Sequence, residues 1–387
     1  MMNNRNLQPF LLFSYAFRSL FLLAVIQAMV GISLWYLWFS GAVAIQWQVN
    51  PVYWHGHGMI MGLAGAAIAG FLLTAVATWT GRPVVRGWPL VLLCGFWLVA
   101  RLELVLPLYA AIAAVLYWLW LLMLMAREVV SVANRRNYKV LLVLGVFLVL
   151  EALYYYTDLN QIAWQRQVIW SQIWLVVLMI NLIGGRVIPA FTRNWLLKNH
   201  PDSEASQLPS AFGTLDIVAS VALIGFAVAT LLPVPPLIIL GFSVATAALQ
   251  FWRLLRWQGL RTLADPLVWM LHLSYVWIPL GVLLFGLGLA GYVSVSAGIH
   301  TLTIGAVAGM IVSVSARAAL GHTGRLLTSH PLLTCSILLL ALATLTRIAA
   351  SLSDSSLLIS VTAIFWICGF LCFAIRYVPV LVKPAIV

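Results

Sequence analysis

The sequence predicts an all-α membrane protein of about twelve transmembrane helices, forming a single polytopic domain over residues 1–387. Composition is the first reason: 64% of the residues are hydrophobic and 8% charged, whereas soluble domains carry roughly 25% charged residues. The second is the recurrence of apolar runs, since crossing a hydrocarbon core about 30 Å thick takes about 20 apolar residues. The third is where the basic residues fall. The net charge is +12, yet every Lys and Arg except Arg101, Arg166 and Arg347 lies in the N-terminus, the even-numbered loops or the C-terminus. That is the positive-inside pattern, with both termini cytoplasmic. The basicity therefore records topology in an inner membrane, and the partner it implies is the lipid bilayer, with no call for nucleic acid.

Taken in order, the spans are expected at 17–39, 52–78, 88–106, 107–127, 138–156, 166–188, 211–231, 235–255, 266–289, 292–316, 331–350 and 356–380. The first follows Arg5 and Arg18 without a small-residue cleavage site, so it reads as a span and not as a signal peptide. Trp35, Trp38, Trp54, Trp79, Trp88 and Trp257 sit at span ends, where indole rings favour the interface. The third span ends on Arg101 and Glu103, read as an ion pair near the outer surface. The fifth contains Glu151, a carboxyl suited to carrying a proton or to a cross-helix hydrogen bond. Asn181 in the sixth is a candidate for a bond to a neighbouring helix, and Asp216, opening the seventh, reads as interfacial. The polar segment 200–210 is an ordinary loop. Cys94, Cys335, Cys368 and Cys372 are packing residues in apolar spans; Cys368 and Cys372 share a helix face, but two thiols without a third ligand make a poor metal site.

Histidine placement carries the chemistry. His200, His322 and His330 fall in loops or at span ends, while His55, His57, His272 and His300 fall inside spans. An ionisable group inside a membrane helix usually faces the bundle interior and marks function. The structural alternative is a neutral imidazole serving as a cross-helix hydrogen-bond partner. Four in one bundle favour ligation, because neutral imidazole binds haem iron, copper and zinc. With no C-x-x-C-H present, any haem is bound without thioether links, and haem b is the type expected. His55 and His57 are separated by about 200° around the helix, so they serve two different sites. His57 precedes Gly62 by 5 residues and Thr80-Gly81-Arg82 by 23, and His300 precedes Gly305 by 5 and Thr323-Gly324-Arg325 by 23. The matching offsets suggest internal repeats, with residues 184–194 (GGRVIPAFTRN) as a weaker third copy and three units of four helices in all. From equal expected depth, His57 and His300 are inferred to be the axial pair of one haem, and His55 with His272 to define a second cofactor or metal site. Arg101, and less so Arg166 and Arg347, are candidates to hold a propionate.

The segments 54–83 (WHGHGMIMGLAGAAIAGFLLTAVATWTGRP), 184–194, 271–281 (LHLSYVWIPLG) and 300–325 (HTLTIGAVAGMIVSVSARAALGHTGR) resemble the NnrS family of bacterial membrane proteins. The resemblance spans nearly the whole chain. It implies a twelve-helix protein containing haem and copper, associated with nitric oxide metabolism and relief of nitrosative stress, with the family's histidines at His55, His57, His272 and His300. The family's second-helix motif is commonly H-x-H-E-M, and Gly58 stands here in place of the acidic residue. That departure puts any role of that carboxylate in doubt.

In helix count and in its H-x-H helix the chain is also similar to the haem-copper oxidase and nitric oxide reductase superfamily, by analogy of architecture alone. Four histidines are too few for a three-histidine copper site beside two fully ligated haems. The expected function is a haem, or haem and copper, redox protein acting on nitric oxide, with one or two haems and quinol or another electron donor. His55, His272 and Glu151 are the catalytic candidates. The alternatives are a secondary transporter of a small solute, or a protein that binds nitric oxide without turnover.

Overall fold

The computed structural model describes residues 10–47, 49–160, 162–201 and 208–386. Arg5 and residues 202–207 of the 200–210 loop lie outside them. Helix dominates, and no strand occurs among the described residues. Among the described residues twelve apolar helices follow one another: α1 (Ala16–Phe39), α2 (Pro51–Thr80), α3 (Trp88–Val99), α4 (Pro107–Val130), α5 (Arg135–Leu159), α6 (Gln165–Asn199), α7 (Thr214–Ala229), α8 (Pro236–Leu255), α9 (Pro266–Leu289), α10 (Val295–Gly321), α11 (Pro331–Ser353) and α12 (Ser356–Val382). Ten are long and apolar enough to cross a membrane, and α3 and α7 are shorter apolar helices. The chain is a multi-pass membrane protein.

Local chemistry explains the starts of these helices. Proline occupies the first turn of α2, α3, α4, α8, α9 and α11, where its missing N–H costs nothing and its fixed φ is already helical. Asn50, Asp265 and Ser294 cap α2, α9 and α10 by accepting backbone N–H groups of the first turn. At the far ends of α2 and α10 the two Thr-Gly-Arg motifs behave alike: Thr80 and Thr323 bond back to Val76 and Ala319, and Gly81 and Gly324 both take φ +69°, a conformation glycine adopts without strain.

Two expected boundaries differ by more than five residues. The third helix stops at Val99 instead of running to 106, because the chain turns through residues 100–106 and starts again at Pro107. Glu103 is buried in that turn. The sixth helix runs on to Asn199, passing Pro189 without breaking; its buried Ile188 and Leu196 continue the packed face beyond the proline, and membrane helices tolerate the lost backbone bond.

The chain divides into two compact units, Met1–Gln172 with Ala318–Leu326 and Ala374–Val387, and Ile173–Arg317 with Leu327–Phe373. In the first, α2 packs on α1 and α4, and α4 packs on α3 and α5. Arg18 of α1 donates to the carbonyls of Leu381 and Lys383 (2.6 and 2.7 Å), closing the C-terminal end of α12. In the second, α9 is central and packs on α8, α10 and α11, with α7 on α8.

Both α2 and α10 change geometry at one point. Each begins as an α-helix, passes through a π-helical stretch (Gly58–Ala64 and Thr301–Ala308), and resumes as an α-helix. In each the last α-helical residue before that stretch is a histidine, His57 or His300.

Candidate histidine sites in the membrane helices

In the first unit, side chains from three neighbouring helices hold the π-helical stretch of α2. Gln27 of α1 donates to the Gly58 carbonyl (3.1 Å), Trp97 of α3 to that of Gly62 (3.0 Å), and Tyr117 of α4 to that of Gly65 (3.0 Å). A π-helix displaces carbonyls from their usual partners, and in a membrane interior the displaced groups must be satisfied by neighbours. Glycine at 58 and 62 lets those neighbours approach; a Cβ at Gly62 would lie 2.5 Å from Nη1 of Arg101.

His57 is completely buried. Its Nε2 lies 2.9 Å from Oε2 of Glu151 on α5, and its Nδ1 is 3.9 Å from Oε2 of Glu103. The ring stacks flat on Tyr154, with centroids 3.8 Å apart and planes within 1°, and meets Tyr155 edge-on at 5.3 Å. Burial pushes the Glu103 carboxyl above the usual range, opposed by the charges of His57 and Arg101 and reinforced by Asp158 and Glu151. Arg101 sits over Trp97, 5.6 Å from the ring centroid. The carboxyl that was expected to serve Arg101 alone is thus turned toward His57.

His55 leaves the helix in another direction. It stacks on Trp35 of α1, centroids 4.6 Å apart and planes at 16°, beside a chain of ring contacts from Trp35 through Trp38 and Trp47 to Trp54. Arg166 lies over Trp170 of its own helix.

In the second unit, His300 Nδ1 donates to the Ser296 carbonyl (2.8 Å) and lies 3.1 Å from its hydroxyl. A backbone carbonyl can only accept, so this bond places the proton on Nδ1 and the lone pair on Nε2. The same Ser296 hydroxyl accepts from Arg347 Nη2 (2.7 Å), and Arg347 Nη1 donates to Ser351 (2.6 Å). His272 shows the opposite tautomer. Thr192 gives its hydroxyl proton to the Ile188 carbonyl (2.9 Å), so at 2.8 Å it accepts from His272 Nε2. The lone pair is then on Nδ1, a buried atom with no hydrogen-bond partner. Gly259 lies against this ring, where a Cβ would come within 2.5 Å.

Most of a buried polar network in this unit escaped sequence reasoning, which reached only the cross-helix bond of Asn181 to Ser220. Arg253, 1% exposed, binds Asp216 through Nε (2.6 Å), and its Nη1 reaches Asn181 Oδ1 (2.6 Å) and the Tyr275 hydroxyl (3.0 Å). Tyr275 also bonds Gln250, and Asn181 donates to Ser220. Asp216, expected at the interface, is buried as the counter-ion. Cys372 and Cys335 bring their sulfurs to 3.8 Å across α12 and α11. Among the described residues no group of three or more His, Cys, Asp or Glu is arranged to hold a metal ion.

His55 and His57 belong to the first unit and His272 and His300 to the second, so the structure describes each imidazole within its own unit. What the four share is burial or partial burial in a membrane helix beside an aromatic ring or a fixed hydrogen-bond partner. Comparison with curated proteins finds no match. The family model described as NnrS protein matches residues 11–385, all but the ends of the chain. The chain belongs to the NnrS family.

Proposed function

We propose that this chain is a bacterial inner-membrane protein, both termini cytoplasmic, that binds haem b through its helix histidines and acts as a redox protein of nitric oxide metabolism. The observation that carries the reading is the state of His300. A metal-ligating histidine characteristically donates its other ring N–H to a carbonyl or carboxylate, which fixes the tautomer and aims the lone pair. The Ser296 carbonyl is such a partner. Arg347, tied to the same serine, brings a guanidinium suited to a propionate. His272 Nδ1, buried without a partner, is a second ligand candidate and His55 a third, while His57, with Nε2 on Glu151 and Nδ1 facing Glu103, belongs to the polar interior of its own unit. These donors fit haem, which needs one or two imidazoles. They do not form a three-ligand copper site among the described residues, so copper is left out of the proposal.

When bound, haem iron supplies a redox centre that takes nitric oxide as a ligand. The protein's part is to hold imidazole lone pairs in place, to exclude lipid and bulk water, and to admit electrons from a donor such as a quinol. The π-helical stretch behind His57 and behind His300 supports reading α2 and α10 as copies of one unit, in a chain of three units of four helices.

The test is direct. Protein purified in detergent should show a Soret band and a pyridine haemochrome of the b type, and His300→Ala should lose or alter it while still eluting as a folded monodisperse species. Under anaerobic conditions with a reduced quinol it should consume more than one equivalent of nitric oxide per haem. A colourless protein overturns the haem assignment, and stoichiometric uptake with a stable nitrosyl spectrum overturns turnover.

A further inference from the structure

On α5, Glu151, Tyr154, Tyr155 and Asp158 stand at positions i, i+3, i+4 and i+7, which places them on one face of the helix. About 10 Å of helix separates the first from the last. Glu151, Tyr154 and Tyr155 are buried, and Asp158 is half-buried and bonded by Gln165 at 2.7 Å. Val149, Leu153 and Tyr156, on the other side of the helix, are exposed. A membrane helix that turns two tyrosines and two carboxyls inward does so against a polar interior.

That interior is unsatisfied. His57 Nδ1, Glu103 Oε1, Arg101 Nε and the hydroxyls of Tyr154 and Tyr155 are all buried, and none has a hydrogen-bond partner. Natural cores leave few such atoms, and each calls for an explanation. Four of these residues meet at one ring: Tyr154 and Tyr155 lie against His57, and Glu103 faces its Nδ1. A metal ion does not account for them, because no metal-holding cluster exists among the described residues. Water does, since a buried water makes roughly two to four hydrogen bonds to otherwise unsatisfied groups. Toward the other end of α5 the same face turns apolar. Leu144 and Phe147 are fully buried, and Phe147 stacks on Trp118 at 4.6 Å.

We propose that the first unit encloses a hydrated half-channel, entered at Asp158 and closed beyond Glu151, that brings water to the His57–Glu151 pair. Its mouth is the Asp158–Gln165 contact beside the exposed Asn160. Its walls are the tyrosine hydroxyls, Glu103 and Arg101, and its floor is the Phe147–Trp118 stack. A reaction that takes up protons at a buried site needs such a water path, and Gly58 supplies no acid of its own. The path stands on unit-one geometry alone, whether or not the chain binds haem.

Accessibility of introduced thiols tests it in membrane vesicles of both orientations. In a full-length background with Cys94, Cys335, Cys368 and Cys372 replaced by serine, single cysteines are placed by Tyr155→Cys, Asp158→Cys, Asn160→Cys, Val149→Cys and Phe147→Cys. The probe is a membrane-impermeant, cationic methanethiosulfonate, read as a mass shift. Asn160→Cys reports which compartment the mouth faces. Tyr155→Cys and Asp158→Cys should react from that same compartment, roughly 100-fold faster than Val149→Cys or Phe147→Cys, since a charge is disfavoured by about that factor in hydrocarbon. Labelling of Tyr155→Cys no faster than Val149→Cys, or from the opposite compartment, overturns the channel. Should the variants fail to fold, hydroxyl-radical footprinting of the unmodified protein decides. Tyr154 and Tyr155, buried beside water, should oxidise in preference to Tyr117, which is equally buried but bonded to the Gly65 carbonyl. Equal modification of the three also overturns it.

Discussion

Asp216→Asn isolates the value of the buried ion pair in the second unit. Asparagine offers one oxygen for the two donors that Asp216 now binds, Gly213 N–H and Arg253 Nε, so the substitution removes the charge and turns an amide donor toward one of them. What remains is the Arg253 guanidinium, 1% exposed and held by Asn181 and Tyr275 but without a counter-ion. Removing one partner of a buried pair costs about 3–5 kcal/mol, because the survivor stays buried and uncompensated. That corresponds to roughly two to three and a half decades in the folding equilibrium. Heating detergent-solubilised protein in steps and counting the monodisperse fraction by size-exclusion fluorescence should show a large fall in the midpoint. The double variant Asp216→Leu with Arg253→Met removes both charges, and Tyr275 keeps its bonds to Asn181 and Gln250; it should recover most of the loss. An Asp216→Asn midpoint equal to that of the parent, or a double variant as poor as the two single changes added, would refute the reasoning.

Further expectations concern single positions. Burial raises Glu103, so the folded chain binds its proton more tightly than the unfolded chain does. Stability is then greatest below the ordinary carboxylate range and declines as pH rises from that range to the raised value. Glu103→Gln lacks this slope and should be more stable than the parent near neutrality, the two converging in acid; parallel stability curves would contradict it. Gly298→Ala drives a methyl into the Phe285 backbone of α9 and should cost about 1–3 kcal/mol. Gly241→Ala meets nothing within 4 Å and should be neutral or slightly stabilising, so equal melting of the two variants counts against the close packing of α9 and α10. Mild oxidation should link Cys335 to Cys372, whose sulfurs are 3.8 Å apart, and full alkylation of both thiols after oxidation would show that the helices stand further apart.

Helix number was legible because each crossing needs its own apolar run, and the chain contains few other segments. The ends were less so. Nothing in the run 88–106 says that Arg101 and Glu103 turn inward, since an outer-surface ion pair and a buried turn use the same residues. The H-x-H spacing did indicate that His55 and His57 leave α2 in different directions, and they do, one to Trp35 and the other to Glu151. Partners separated by long stretches of chain were invisible. Glu151 lies 94 residues from His57, and Asp216 lies 37 from Arg253, and no local periodicity encodes such pairings. Arg253 itself was hidden by its position near a helix end, where a basic residue reads as a topology marker. The i, i+3, i+4, i+7 stripe from Glu151 to Asp158 was in plain view; it is a pattern of polar residues within an apolar run, and a search for apolar runs passes over it. Cys335, which meets Cys372, likewise comes from another helix.

The π-helical stretches of α2 and α10 separate two properties that an unbroken α-helix locks together. A π stretch is in effect an α-helix carrying one surplus residue, and one residue turns an α-helix by about 100°. Deleting a single residue within Gly58–Ala64 would let that stretch relax to α-helix with His57 close to its present direction, whereas rewinding all seven residues as α-helix would swing His57 by about that angle relative to Gly65–Thr80. The packed small-residue face of Gly65–Thr80 would be left unchanged. Aim and anchorage are thus set by different lengths of the same helix, and a π-to-α rewinding at unchanged length, more than any exchange of side chain, is the change that would redirect His57 or His300 while leaving the rest of the helix in its bed.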